Sequence, residues 1–510
     1  MKKLVIATFF ILLTGVGYTQ HNIIPHPSHA VYLQDAPFVL DRPVVILSDK
    51  AFLMEANLIA SLIAERYRIG VRVGDKPMEG HAVISITKSD NPAKEQYQIR
   101  VNEKECVILA SEGSGAFYGG ITLAQMIRFD EAKRSHLIPS ARIEDQPRFG
   151  WRGLMLDCSR TFIPVSYIKK TLDRMAFYKL NVLHLHLTDD QGWRLEIKKR
   201  LTLTAEGASF SKTAIEPDKF EGYYTQDDIR NLVVYAALRH IQIVPEIEVP
   251  GHSGAAIHAY PDLSCSKEKV PIYPFIYQGA EKPNDVFCAG NEGTYSFFED
   301  VLNEVEALFP SIYVHLGGDE VSKHHWSNCE TCQKKKKELR IDNENQLQCY
   351  VMDRVGKHVT EAKKRPIGWD EIVQGDISKD WIVMGWRDES KGREALQKGY
   401  EVVMTPHTHL YFDYSYATTP TSKVYAYNPV PDGLTTEQES RILGIQANFW
   451  SHIDRWTSRI DFQLYPRILA LSERAWSDAS VNDYETFRQR VKIHKKWLQF
   501  FKTEYNDNEL

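Results

Sequence analysis

The chain has 510 residues, is 43% apolar and 25% charged, and carries a formal net charge of −5. That length exceeds what one small core can organise, so two or more domains are expected. The charge balance lacks the basic excess of a nucleic-acid partner, while 10 Trp and 25 Tyr supply faces that can stack on sugar rings.

Lys2 and Lys3 precede an apolar run from Leu4 to Val16, followed by the small residues Gly15-Val16-Gly17. This pattern reads as a secretory signal over residues 1–20, too short for a membrane span, with cleavage between Gly17 and Gln20. No cysteine stands near that site to carry a bacterial lipid anchor. The expected product is exported, periplasmic or secreted, with no later transmembrane segment. Seven cysteines then face an oxidising compartment. Cys265 and Cys288 bracket a loop that a disulfide could staple. Cys329-x-x-Cys332 resembles half a zinc site, but no second CxxC or His pair follows at the usual spacing. A disulfide or free thiols are therefore expected there ahead of a metal, and no metal or cofactor is expected anywhere.

Residues 21–146 read as a small α+β domain. Alternation in Ala82–Ile86 and Tyr97–Val101 indicates strands, and helical periodicity covers Ala51–Arg68 and Gly119–Ile127. Pro147 and Gly150 punctuate the chain, and residues 147–510 follow another rhythm. Eight short apolar runs recur: Gly153–Leu156, Val182–Leu187, Ile241–Ile247, Ile312–Leu316, Arg365–Trp369, Trp381–Trp386, Glu401–Thr405 and Ile442–Ala447. Helical stretches such as Ser166–Tyr178, Asp227–Arg239, Gly293–Leu308 and Asn345–Lys363 separate them. Eight β-then-α units over about 330 residues predict a (β/α)8 TIM barrel, whose active site lies at the C-terminal strand ends.

The residues just past those strands converge on one chemistry. Asp157 and Arg160 follow the first, Thr188-Asp189-Asp190 the second, and Glu246-Ile247-Glu248-Val249-Pro250-Gly251-His252 closes the third. The fourth ends in Gly317-Gly318-Asp319-Glu320. Two carboxylates in one cleft cannot both ionise freely, which separates a proton donor from an anion, as glycosidic cleavage requires. The remaining strands lead to Trp369-Asp370-Glu371, Trp386-Arg387, the group His407, His409, Tyr411 and Asp413, and finally Trp450-Ser451-His452. Acids, aromatics and an Arg at one mouth describe a sugar pocket.

His184–Trp193 (HLHLTDDQGW), Pro245–His252 (PEIEVPGH), His315–Glu320 (HLGGDE), Gly368–Glu371 and Trp450 together resemble glycoside hydrolase family 20, the β-N-acetylhexosaminidases. The preceding unit, with Phe117-Tyr118-Gly119-Gly120 and Leu123, is similar to that family's α+β domain. The resemblance implies a retaining, substrate-assisted reaction through an oxazolinium intermediate, an exception to the two-carboxylate scheme. It makes Glu320 the general acid and base, Asp319 the orienter of the acetamido N–H, and Tyr411 the hydroxyl on the acetamido oxygen. Trp369, Trp386 and Trp450 become pocket walls, and Arg160 grips O3 and O4. Asp189 and His252 form a dyad supporting the acid, and Asp413 joins the acetamido side. The implied partner is a glycan ending in β-linked N-acetylglucosamine.

One position departs from the family. Most members carry Trp, one residue, then Glu after the last strand, the Glu accepting from O4 and O6; here the third residue is His452, with Arg455 three further on. An O6-sulfate about 4 Å from a Glu would meet roughly 4 kcal/mol of repulsion at an effective dielectric near 20, on the order of a thousandfold in rate. His452 removes that repulsion and offers an N–H, with Arg455 as a second donor. Three outcomes follow from this exchange: acceptance of 6-O-sulfated N-acetylglucosamine, as on mucin O-glycans and keratan sulfate; loosened contact at C6; or tolerance of the galacto epimer. Two other classes remain in view. A non-catalytic glycan-binding barrel would have no use for the Asp319-Glu320 pair, and a metal-dependent hydrolase would need an HExxH-like cluster.

Overall fold

The computed structural model describes residues 22–90, 93–211, 220–274 and 286–509. The expected signal over 1–20 therefore lies outside the described residues, as do parts of the loops around 212–219 and 275–285.

Residues 22–146 build a seven-stranded mixed sheet in the order His29–Tyr32, Ala141–Asp145, Tyr97–Val101, Cys106–Ala110, Ala82–Lys88, Val44–Ser48 and Val71–Gly74. In Ala82–Ile86 and Tyr97–Val101 every second side chain is buried, the period-2 pattern of a sheet with one covered face. Helices Leu53–Tyr67 and Gly113–Met126 pack against it. The second helix begins six residues before its expected start. Gly113, Gly115, Gly119 and Gly120 read locally as breakers, yet the packing demands small residues. A Cβ on Gly120 would fall 1.8 Å from Ile59 Cδ1, and one on Gly119 would fall 2.6 Å from Ile108 Cγ2.

The rest closes into a parallel eight-stranded barrel. Its strands are β1 (Trp151–Asp157), β2 (Val182–His186), β3 (Gln242–Glu246), β4 (Tyr313–His315), β5 (Arg365–Trp369), β6 (Ile382–Gly385), β7 (Glu401–Met404) and β8 (Ile442–Phe449). Each overlaps its expected run. All seven residues of β1 and all five of β2 are buried, which is why these segments read as continuous rather than alternating apolar runs. Closure comes from β1 pairing with both β2 and β8, with Trp151 opposite Gly444 and Leu156 opposite Phe449. Helices Val165–Phe177, Gln226–Ala237, Glu292–Leu308 and Glu344–Glu361 wrap the outside, and no described helix is long and apolar enough to cross a membrane.

The two units share one apolar core and a buried ionic joint. Lys179, in the turn before β2, reaches Asp145 Oδ2 at 3.0 Å and Tyr97 Oη at 2.7 Å, while Trp476 Nε1 donates to Asp145 Oδ1 at 2.9 Å. Arg152 of β1 pairs with Glu95 at 2.8 Å.

Candidate active site

The pocket is assembled at the C-terminal ends of the barrel strands, starting from a charged floor. His186, at the end of β2, donates from Nε2 to Asp189 Oδ2 at 2.8 Å and from Nδ1 to Glu246 Oε2 at 2.5 Å. Burial alone would push this imidazole down, but Glu246 and Asp189 outweigh it and raise its pKa to about 10. Burial dominates at its neighbour His184, lowered to about 4. Glu246 Oε1 also accepts from Trp369 Nε1 at 2.9 Å. This buried network fixes the two groups that matter above it, Asp189 and the Trp369 indole.

Asp189 is the hub of the next layer. Its Oδ2 pairs with Arg160 Nη2 at 2.8 Å and its Oδ1 accepts from His252 Nδ1 at 3.1 Å. Burial opposes its ionisation, but Arg160 and His252 hold its pKa well below the usual carboxylate range. The other nitrogen of His252 lies 3.5 Å from both Asp319 Oδ2 and Glu320 Oε2. Burial would depress His252 too; Asp189 and Asp319 override it and keep the ring cationic. An Asp189–His252 relay thus runs directly to the carboxylate pair.

The pair owes its presentation to backbone strain. Gly317 and Gly318 have φ of +64° and +94°, and Glu320 and His252 sit at +45° and +47°. A non-Gly residue in that left-handed region costs about 1–3 kcal/mol and tends to mark functional positions. The turn leaves Asp319 buried, 8% exposed, while the Glu320 side chain is 59% exposed at the open mouth. Neighbouring acids in the chain thereby acquire different surroundings.

Aromatic rings wall the space beside them. Trp386 lies parallel to Tyr411 at 6.0 Å between ring centres, and Trp450 stands 6.0 Å from Trp369 and 6.2 Å from Tyr411. Trp386 is held from behind, its indole donating to Glu371 at 2.9 Å and its backbone N–H to Asp370 at 2.8 Å. Arg160 lies over the Trp450 face at 4.8 Å. Asp319 Oδ1, Asp413 Oδ1 and Arg160 Nη1 are buried polar atoms without a hydrogen-bond partner among the described residues; such atoms ordinarily meet water or a ligand. Burial lifts the Asp413 carboxyl to about 7.

Of the residues singled out from sequence, Arg160, Asp189, His252, Asp319 and Glu320 form one connected group, and Trp369, Trp386, Tyr411 and Trp450 form the aromatic wall; Asp413 adjoins Tyr411 and Trp450. His452 is half-buried beside them, its imidazole lowered by burial and by Arg160 and so uncharged at neutral pH. Arg455 is anchored against the loop after β1. It is 7% exposed, donates from Nε to Thr161 Oγ1 at 3.0 Å and lies over Phe220 at 4.4 Å, in a cleft with Phe162 and Ile163. Its guanidinium braces the loop after β1. Asp157 and Glu246, noted from sequence at the strand ends but given no role, and His186 also prove to be site components. Asp157 Oδ1 caps the Ser159 and Arg160 N–H groups, and its Oδ2 takes Ser451 N–H at 3.0 Å, locking the first loop to the last. Their position at strand ends was the available signal. Of the states expected for the cysteines the structure has unpaired thiols: Cys265 and Cys288 form no disulfide, and with Cys329 and Cys332 they gather in one cluster.

A TIM barrel with paired carboxylates, a supporting His–Asp relay and an aromatic cage at its strand ends brings together the groups that glycosidic cleavage uses. Comparison with known proteins narrows the class. The family model "Glycosyl hydrolase family 20, catalytic domain" matches residues 149–479, and "Glycosyl hydrolase family 20, domain 2" matches residues 20–146. The chain belongs to glycosyl hydrolase family 20. It is 37% identical to a beta-hexosaminidase of Porphyromonas gingivalis over 92% of this chain and 62% of that protein. It is 36% identical to one of Vibrio furnissii over 75% and 66%, and 31% identical to a beta-N-acetylhexosaminidase of Cellulomonas fimi over 92% and 93%. The chain thus spans just under two thirds of the first two of these relatives. Among solved structures, the GH20 exo beta-N-acetylglucosaminidase of Vibrio harveyi, in complex with N-acetylglucosamine, superposes with a TM-score of 0.85 at 29% identity, covering 96% of this chain and 78% of that one. The Flavobacterium johnsoniae chitobiase gives 0.84 at 31% identity, with 96% and 74% covered.

Proposed function

We propose that the chain is an exported, exo-acting, retaining β-N-acetylhexosaminidase that removes terminal β-linked N-acetylglucosamine from glycans. The observation that carries this reading is the Asp189–His252 relay ending 3.5 Å from both Asp319 and Glu320 beneath an aromatic cage. Binding alone needs no such acid pair. In the first step the acetamido oxygen of the substrate forms a bond to C1 as the C1–O bond to the leaving group breaks, with Glu320 giving its proton to the departing oxygen. Asp319 accepts from the acetamido N–H and offsets the positive charge that develops. The Tyr411 hydroxyl donates to the acetamido oxygen and aims it. In the second step Glu320 takes a proton from water, which opens the oxazolinium at C1 with net retention. Arg160 Nη1 is suited to the O3 and O4 hydroxyls.

The site accepts the 6-O-sulfated sugar, as on mucin O-glycans. The support is His452 standing where a carboxylate is usual, uncharged and next to the cationic Arg160. This reading rests on His452 with Arg160 nearby; Arg455, the other cation expected there, bonds Thr161 through Nε.

One experiment addresses both levels. Hydrolysis of 4-nitrophenyl β-N-acetylglucosaminide and of its 6-O-sulfate is compared for the wild type, Glu320→Gln and His452→Glu. Glu320→Gln is also assayed on N,N′-diacetylchitobiose, whose sugar leaving group needs protonation as 4-nitrophenolate does not, and there it should lower kcat by about 10²–10⁴-fold; unaltered turnover would end the hexosaminidase reading in favour of a glycan-binding barrel. His452→Glu should lower the sulfated-to-unsulfated rate ratio by two to three orders of magnitude, as charge repulsion of this size implies. An unchanged ratio leaves the unsulfated N-acetylglucosamine or N-acetylgalactosamine glycosidase as the correct specificity.

A further inference from the structure

We propose that Cys265, Cys288, Cys329 and Cys332 bind one zinc ion as a structural tetrathiolate, stapling the loop after β3 to the loop after β4. The four sulfurs lie within 4.8 Å of one another. Three of the separations are 3.7 Å (Cys265–Cys332), 3.8 Å (Cys288–Cys329) and 3.5 Å (Cys288–Cys332). A tetrahedron with Zn–S bonds of about 2.3 Å has edges of about 3.8 Å. A disulfide holds its sulfurs near 2.05 Å. The contacts also do not resolve into two exclusive couples, because Cys288 and Cys332 each approach two other sulfurs. Sharing of that kind is what a common centre produces.

The surroundings suit four thiolates. Cys329 is the N-cap of helix Glu330–Leu339 and Cys332 lies in its first turn, where the helix dipole favours negative charge. The Gly290 backbone N–H hydrogen-bonds to Cys288 and Cys332. Gly290 approaches the Cys-x-x-Cys turn so closely that a Cβ would sit 2.4 Å from Thr331 O and 2.9 Å from Cys332 N. One knuckle is therefore packed backbone to backbone against the other. Cys288 and Cys332 are buried while Cys265 and Cys329 are half-exposed, which leaves an entry path. Binding converts four thiols and Zn²⁺ into a complex of net charge −2 with release of four protons, so affinity falls at low pH. No oxidant is consumed, unlike formation of two disulfides from the same residues.

The staple bears on the catalytic turn without touching substrate. Cys329 follows Glu320 on the same loop. On the other loop, Phe287, the neighbour of Cys288, donates its N–H to the Pro250 carbonyl at 3.0 Å and accepts from Trp326 Nε1 at 2.9 Å. The cluster thus holds together the segments that carry His252 and Glu320. It is independent of which sugar, if any, the barrel cleaves.

The test is metal analysis of the full chain purified without chelator or reductant. The expected result is one zinc per chain that survives gel filtration and is released by a mercurial with four thiols titrated. Exchange with Co²⁺ should give the intense thiolate-to-cobalt absorption of a tetrahedral tetrathiolate. Cys332→Ser should lose the metal, whereas Cys349→Ser, outside the cluster, should keep it. A metal-free wild type whose intact mass is lower by about four hydrogens would establish two disulfides and overturn the proposal. A metal-free wild type with four alkylatable thiols, unable to take up Zn²⁺ or Co²⁺, would overturn it equally. Because the readout is the metal itself, a failure here is distinct from a failure of the glycosidase reading.

Discussion

Glu371 illustrates how a carboxyl can be recognised by type while its charge state waits on the structure. The sequence places it just past the fifth strand, and it holds the Trp386 indole, but burial, with Asp319 and Asp370 nearby, raises its pKa to about 8. A carboxyl raised in the folded state binds protons there more tightly than in the unfolded chain. Its contribution to stability is full below about pH 4 and is lost as pH rises through about 8. Glu371→Gln keeps an oxygen for the indole and cannot ionise. The variant should match the wild type in Tm near pH 5 and exceed it near pH 9, read by thermal scanning at both. A Tm difference independent of pH would mean that the carboxyl is ionised throughout. Residue types at the strand ends were legible in the sequence, including Asp189, His252 and the carboxylate pair. Charge states were not, because His184 and His186, two residues apart on one strand, are pushed to about 4 and about 10 by three-dimensional neighbours alone.

At the scale of elements, the eight strands were legible because burial on all sides leaves a short run of apolar residues that ends abruptly, in Gly or an acid for β1, β3, β4 and β5. The helix over Gly113–Met126 was only half legible, since its glycines answer to Ile59, Ile108 and Tyr97 across the packing interface. The cysteine cluster was illegible for a related reason: Cys265 and Cys288 belong to a different loop from the single Cys-x-x-Cys, and only the adjacency of β3 and β4 brings them together. The turn after β4 gives the sharpest prediction. Gly317 has φ +64°, and a Cβ there would lie 1.7 Å from Glu248 Oε2. Gly317→Ala should cost at least about 2 kcal/mol, from the left-handed backbone and the displaced carboxylate together. Chemical denaturation measures the cost, and activity should fall with it because Glu320 is carried on the same turn. A loss under about 0.5 kcal/mol would show that the turn relaxes freely.

The two units are joined by an ionic as well as an apolar contact. Lys179 and Asp145 are fully buried, one from the barrel and one from the mixed sheet, with Tyr97 and Trp476 completing the cluster. Removing one partner of a buried pair leaves an uncompensated charge worth about 3–5 kcal/mol. Asp145→Asn should therefore lower the unfolding midpoint of both units together in a single calorimetric transition. Two separated transitions in the wild type would mean that the mixed sheet and the barrel are independent.

The seam between β1 and β8 sets an order in time. Trp151 through Leu156 pair with Gly444 through Phe449, and Asp157 receives the Ser451 N–H. A ribosome must therefore travel about 300 residues beyond the first strand before that strand has its second neighbour, and at about 5–20 residues per second the wait is tens of seconds. Until then β1 presents an open parallel edge, and Arg160 lacks the Trp450 ring beneath it. The pocket is completed only with the last barrel strand, and a nascent or truncated chain that stops short of β8 has the Asp319–Glu320 pair but lacks the Trp450 wall beside it.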